Sequence, residues 1–351
     1  MNVRVLNRPK QFLAVLLLIL AVTASLSLSL GAASLSLLEL VRTLTFWTGF
    51  ISQEPEALSM VVVHDIRLPR LVLGALIGAS LAMAGAAIQG LFRNPLADPG
   101  LIGVSSGAAL AAVMLIVLGN TVFASWFEFA GWLALPIAAF TGGGLVTWVI
   151  YKIATHSDSP QVTTMILAGV AITALCGAAT GLLTYVADDA ELRTLTFWSM
   201  GSLAAVTWAD VAVSAPWLIA AIILFPLTAK ALNVLLMGEA VSGHLGIPVS
   251  FIRKFIFLLT AIAVGAGVAV AGMIGFIGLV VPHLVRLAVG PNHHWLLPLS
   301  GVAGATLLLL ADLLARTIVA PAELPIGLIT SLIGGPFFLW LLLQFQRGNH
   351  A

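Results

Sequence analysis

The side chains able to do chemistry in this chain are few and scattered. Seven histidines, His64, His156, His244, His283, His293, His294 and His350, share no ligand spacing on one helix face, and the lone Cys176 has no cysteine partner. No metal site and no resident cofactor are assigned, and His293-His294 is expected to cap a cytoplasmic loop. Nucleotide chemistry is excluded by a simpler test. A P-loop needs Gly-Lys before Ser or Thr, yet Lys10, Lys152, Lys230 and Lys254 follow Pro9, Tyr151, Ala229 and Arg253. The chain is therefore read as no enzyme, and any ATP that drives it is hydrolysed by another chain. What remains is charge placed for gripping and docking. Asp312 inside an apolar run costs about 2.5–3.5 kcal/mol on insertion scales, and Arg316, one turn on, is expected to satisfy it. Such pairing argues for a structural role; an isolated carboxylate would have argued for an ion-coupled secondary transporter. Arg67 and Arg70 lie three apart across Pro69 and project to similar sides.

The elements that must position these groups are membrane spans. Of 351 residues 60% are hydrophobic and only 29 are charged, 15 Lys+Arg with 14 Asp+Glu, against about a quarter in a soluble domain. A net charge of +1 without a like-charge run leaves no footprint for nucleic acid. Each helical crossing takes about 20 apolar residues, so composition permits on the order of ten. Apolar stretches place them near 11–33, 68–91, 101–119, 131–154, 163–187, 209–229, 252–274, 276–290, 295–315 and 326–345. Residues 261–290 read as one broken helix or two short ones, with Pro282 favouring a break. The first run follows Arg4, Arg8 and Lys10; it is too long for a signal peptide and is read as a retained helix.

With both termini inside, ten of the 15 basic residues fall on the inner side and ten of the 14 acidic residues on the outer, the distribution expected of cytoplasmic loops. Ala82-Met83-Ala84-Gly85 of the second span is echoed by Ala269-Val270-Ala271-Gly272 of the seventh. Five spans apart means opposite orientation, the signature of an inverted repeat. The whole of 1–351 is read as one multi-pass domain.

Between the second and third spans, Arg93 to Gly107 carries two prolines and repeated glycines that forbid continuous helix. Non-helical backbone at this depth must be buried or line water; an ordinary tight turn is the simplest composition-based reading. Its string Asn94-Pro95-Leu96-Ala97-Asp98-Pro99-Gly100-Leu101-Ile102-Gly103-Val104-Ser105 closely resembles the signature of the bacterial permeases that import iron chelates and cobalamin with an ATP-binding-cassette engine. The resemblance continues through Arg67-Leu68-Pro69-Arg70, Leu167-Ala168-Gly169-Val170, Gly272 to His283, and Ala322-Glu323-Leu324-Pro325-Ile326-Gly327. It implies an all-α membrane protein with ten helices per subunit, the type II ABC importer fold with its inverted repeat. It also implies a homodimer with the pathway on the two-fold axis, two cytoplasmic ATPases, a periplasmic binding protein and location in the bacterial inner membrane.

Residue roles carried over by that resemblance are expectations. In the inner loop 230–251, Gly238, Glu239, Ala240, Leu245 and Gly246 match the element that couples to the ATPase. The residues alone suggest a short amphipathic helix ended by Gly246, for which lying on lipid is the competing reading. Asn94, Leu96, Val162 and Thr163 match the cytoplasmic constriction. Arg67, Arg70 and Arg316 match the arginines that meet glutamates of the binding protein; as residues alone Arg67 and Arg70 also serve as snorkelling anchors. Phe197, Trp198 and Met200, within the polar and aromatic segment 188–203, match the outer mouth, where an aromatic belt would look similar. The wording of that segment looks most like haem permeases, which makes haem the expected cargo ahead of ferric siderophores or cobalamin. An ion-coupled transporter is the remote alternative, and a channel is disfavoured because no filter loop or charged ring recurs.

Overall fold

Apolar runs without a water-facing alternative become helices because lipid offers the backbone no hydrogen-bond partner. The computed structural model describes residues 9–31, 35–47, 56–119, 121–154 and 162–348, and among them every regular element is helical. In order these are α1 (Pro9–Ser29), α2 (Leu37–Trp47), α3 (Ala57–Val61), α4 (Leu68–Phe92), α5 (Val104–Leu118), α6 (Ala124–Ala130), α7 (Ala134–Ala154) and α8 (Val162–Val186). There follow α9 (Asp189–Met200), α10 (Trp208–Leu224), α11 (Ala229–Leu235), α12 (Glu239–His244), α13 (Val249–Ala271), α14 (Ile277–Val289), α15 (His293–Thr317) and α16 (Ile326–Gly348). Among the described residues seven helical segments are long and apolar enough to cross a membrane, and α5, α14 and α16 are shorter apolar helices. Each expected span corresponds to one of these.

Helices α4 and α13 form the centre, and their packing repeats. The second span, α4, lies against the ninth, α15; the seventh, α13, lies against the fourth, α7. Likewise α5 packs on α7 and α8, while α14 packs on α15 and α16. Exchanging spans one to five for six to ten maps these contacts onto one another, the pattern of the inverted repeat suggested by the Ala-Met-Ala-Gly echo. Close approach explains the small residues. A Cβ on Gly85 would collide with the Gly278 carbonyl of α14, and one on Gly78 with Gly304 of α15, so backbones meet where side chains are absent.

The break within 261–290 falls at 272–276, not at Pro282. Gly272 has φ 68° and Phe276 φ 66°, and the Phe276 ring fills the space a side chain on Gly334 would need. Pro282 instead sits inside α14. Its missing N–H leaves the Gly278 carbonyl without its helical donor, and the Gln89 side-chain amide of α4 donates to that carbonyl at 3.3 Å. A neighbouring helix thus repairs what the proline removes.

Candidate transport pathway and coupling surface

At the inner end of α4 the chain turns where Arg93 adopts φ 51° and donates to the Gly90 carbonyl. The Asn94 amide donates to Gln89, and its side-chain oxygen accepts from Leu96 N at 2.9 Å, closing an Asx turn. Asp98 accepts from Gly100 N at 2.7 Å and starts a 3-10 turn, Pro99–Ile102, that packs on α8. Burial pushes the Asp98 carboxyl above its ordinary range. Asn94 is exposed and Leu96 half-buried at this corner. Val162 and Thr163 form the first turn of α8; their side chains lie outside the described residues.

The loop after α11 forms the expected short helix, α12, with Gly238 at φ 108° before it and Gly246 at φ 78° after it. Ser242 faces inward, its hydroxyl donating to the Gly238 carbonyl at 2.7 Å and the Val234 carbonyl at 3.1 Å. Ala240, Val241 and Leu245 face outward and are exposed, alongside Met237 and Phe251. Glu239 does not join them: its carboxylate accepts from buried Arg253 of α13 at 2.7 Å. Sequence reasoning missed Arg253, although a cation within the first turns of an apolar span was the available signal.

At the outer end the three arginines are corrected. They are not presented outward; Arg67, Arg70 and Arg316 are only 4%, 5% and 5% exposed. Arg70 forms a forked contact with Asp312, Nε to Oδ1 and Nη2 to Oδ1 both at 2.8 Å, and holds Glu323 at 2.9 Å. Arg316 reaches Asp312 at 3.6 Å and donates to the Ser27 carbonyl and, at 2.7 Å, its hydroxyl. Arg67 donates to the carbonyls of Leu28 and Ser29. The physical reason is that guanidinium groups at this depth need partners, and the last carbonyls of α1 supply both acceptors and the negative end of a helix dipole. The Asp312–Arg316 pair exists as expected, but Arg70 is the stronger partner and Glu323 completes the set.

α9, the segment expected to form the outer mouth, packs on α5 and α16. Asp188 and Glu191 make a capping box, accepting from Glu191 N at 2.8 Å and Asp188 N at 3.0 Å. Phe197 is exposed, Trp198 packs on the main core, and Met200 is half-buried. The Arg193 guanidinium lies 6.0 Å from the Phe197 ring, beside a hollow of about 420 Å³ lined by Phe197, Trp198 and the end of α13. Backbone bonds knit this rim to the α13–α14 break and to α16, Ser202 N to Ala271 O at 2.8 Å and Ile326 N to Gly201 O at 3.0 Å. A Cβ on Gly201, at φ 69°, would strike the Met273 carbonyl.

His293 also departs from expectation. It opens α15 and is 1% exposed. Asn233 of α11 accepts from its backbone N–H at 2.8 Å and contacts its Nδ1 at 2.9 Å, while its other ring edge occupies the place of a side chain on Gly90. Asn292, not a histidine, caps the helix through His294 N at 3.1 Å. No group of three His, Cys, Asp or Glu residues suited to a metal ion occurs among the described residues.

This arrangement, a helix bundle with a broken inner corner, a protruding amphipathic loop and a knitted outer rim, has solved counterparts. It superposes with TM-score 0.82 on a chain of an inward-facing metal-chelate type ABC transporter described as putative, 31% identical, covering 95% of this chain and 99% of that one. The hemin transport system permease protein HmuU of Yersinia pestis is 45% identical over 357 aligned residues, 100% of both chains. The cobalamin import system permease protein BtuC of Halobacterium salinarum is 43% identical over 284 residues, 81% of this chain and 74% of that one. The pattern of the FecCD transport family matches residues 17–344, and the chain belongs to that family of ABC transporter permeases.

Proposed function

We propose that two copies of this chain form the membrane pathway of an importer that carries haem inward across the bacterial inner membrane. Two cytoplasmic ATPases drive it and a periplasmic binding protein delivers the cargo to the rim at α9. The observation that carries the haem reading is the likeness to a hemin permease along the whole of both chains at 45% identity. Cobalamin permeases match over 81% of this chain. The aromatic rim at Phe197 and Trp198 suits a planar, amphiphilic ring, which needs a wide and weakly binding conduit rather than a tight site.

Two unpartnered surfaces support the assembly. Spans α8 and α16 carry exposed apolar residues along their length, among them Leu167, Leu175, Leu182, Leu332 and Leu339, a face suited to a second copy across a two-fold axis. At the other end Val241, Leu245, Met237 and Phe251 project from the membrane domain into the region assigned to the cytoplasm. Apolar groups there are suited to a groove on a partner. The absence of Gly-Lys in the sequence leaves hydrolysis to that partner, and the excess of basic residues on this side supports termini in the cytoplasm.

The test is reconstitution. Liposomes holding the permease with its ATPase and binding protein take up haem when ATP is added. Uptake of cobalamin or a ferric siderophore with haem excluded would leave the architecture standing and overturn the cargo. Uptake driven by an ion gradient without ATP would overturn the mechanism.

A further inference from the structure

Helix ends from distant parts of the chain meet behind α12 on the inner side. The short helix α11 packs on α12, on α15 and on α4. Leu232 and Leu235 seat it in the core, and Ser242 fastens α12 to its last turn through the Val234 carbonyl at 3.1 Å. A load on α12 therefore reaches α11 directly. Beside Val234, Asn233 turns its side chain to the first turn of α15.

The hydrogen bonds there fix which atom does what. The His293 backbone N–H donates to Asn233 Oδ1 at 2.8 Å, and the His294 N–H to Asn292 Oδ1 at 3.1 Å, so backbone donors orient both amides. Asn233 Nδ2 then donates to Asn292 Oδ1 at 2.8 Å. The His293 Nδ1, 2.9 Å from the Asn233 oxygen, must carry the ring proton. One amide thus grips both the backbone and the imidazole of the first residue of α15. The other ring edge, at Nε2, makes no hydrogen bond; it lies against the bare backbone of Gly90 in the last turn of α4, where a Cβ would collide with it. A buried polar atom without a partner costs free energy, and an apolar ring would fill the same space without that cost. What imidazole adds is the bond to Asn233. The gate corner begins at this point: the Gly90 carbonyl accepts from Arg93 N at 3.2 Å and the Gln89 carbonyl from Asn94 N at 3.1 Å.

We propose that Asn233 and His293 are positioning residues that connect the coupling helix to the inner gate. A displacement of α12 passes through α11 to the Asn233 amide, from the amide to the His293 ring, and from the ring to Gly90 and the corner at 93–96. A close-packed contact between ring and backbone yields little to compression, so it carries displacement without rearranging bonds. The link rests on reading α12 as the ATPase contact and Asn94 with Leu96 as the gate.

The test uses the full-length permease reconstituted with its ATPase and binding protein. It reads haem uptake per ATP hydrolysed and, without any need of cargo, disulfide formation between copies carrying Leu96→Cys in each nucleotide state. Asn233→Leu, similar in size but without the amide, should keep the ATPase bound, lower uptake per ATP about five-fold or more, and make the cross-link the same in every nucleotide state. His293→Ala withdraws the ring from Gly90 and should reproduce both changes. Because the two groups act in series, the double variant should be no worse than either single. Losses that multiply in the double would mark two independent packing defects and overturn the link, as would a cross-link that still follows the nucleotide in Asn233→Leu. If Asn233→Leu releases the ATPase, His293→Ala, which leaves the backbone bond to Asn233 in place, decides by the same measures; release by both makes the cluster structural and overturns the link. A cross-link that ignores nucleotide in the Leu96→Cys parent overturns the gate reading itself, and the link with it.

Discussion

The two ends of the molecule solve opposite problems. At the outer end three arginines, an aspartate and a glutamate turn inward and spend their hydrogen bonds on one another and on the end of α1. At the inner end Val241, Leu245, Met237 and Phe251 are exposed. Charge is hidden at one end, and apolar surface is shown at the other, where the proposed partner would dock. The difference teaches that residue type alone misassigns a docking surface here: the arginines look like the recognition groups, yet the protruding leucine and valine are the ones left available.

Breaking the outer cluster should have the largest effect. Replacing Arg70 by Leu leaves Asp312, 1% exposed, as a buried carboxylate with only Arg316 at 3.6 Å, and removal of one partner from a buried pair typically costs about 3–5 kcal/mol. Thermal unfolding in detergent should show a marked fall, and the double variant Arg70→Leu with Asp312→Leu should recover part of it. A single variant melting like wild type would mean that the cluster is wet and exposed after all.

At the inner end, Leu245→Asp should leave folding intact, because the side chain is 60% exposed. Uptake per ATP hydrolysed should drop at least ten-fold, or the ATPase should fail to co-purify. Normal uptake with normal ATPase binding would reduce α12 to an interfacial helix. Smaller still is the change at the inner corner: Leu96→Cys should form a disulfide between two copies in one nucleotide state only, read by gel shift. Equal cross-linking in every state would remove the gate from Asn94 and Leu96.

The smallest expected effect is Asp98→Asn. Burial raises the carboxyl of Asp98, so the folded state prefers it protonated. Its contribution is most favourable below the unfolded carboxylate value of about 3.9, and stability is lost as pH rises through the raised folded value. Asparagine keeps the acceptor for Gly100 N without the charge. The variant should therefore melt slightly higher than wild type at neutral pH and equal it in acid; a lower melting temperature at neutral pH would show that the ionised form is the one the turn needs.

The spans were legible because lipid imposes one solution on the backbone, and apolar runs bounded by charge mark it directly. The corner at 93–103 and the loop at 238–246 were legible for a related reason, since proline, glycine and Asx chemistry act over a few residues. What escaped was non-local. Pro282 reads as a breaker until Gln89, far back in the chain, is seen donating to the carbonyl it frees. His293 reads as a loop cap until Asn233 and the bare backbone of Gly90 are brought beside it. The arginines read as outward groups by resemblance; the sequence shows Asp312 and Arg316 as an i,i+4 pair, whereas the better partner for Asp312, Arg70, comes from another helix.

That partner is also late. Arg70 and Asp312 are 242 residues apart, which at 5–20 residues per second puts on the order of tens of seconds between their emergence from the ribosome. During that interval Arg70 lacks both the Asp312 and the Glu323 carboxylates that hold it in the folded chain. A chain that ends before Asp312 therefore leaves the Arg70 guanidinium without the carboxylate it forks onto.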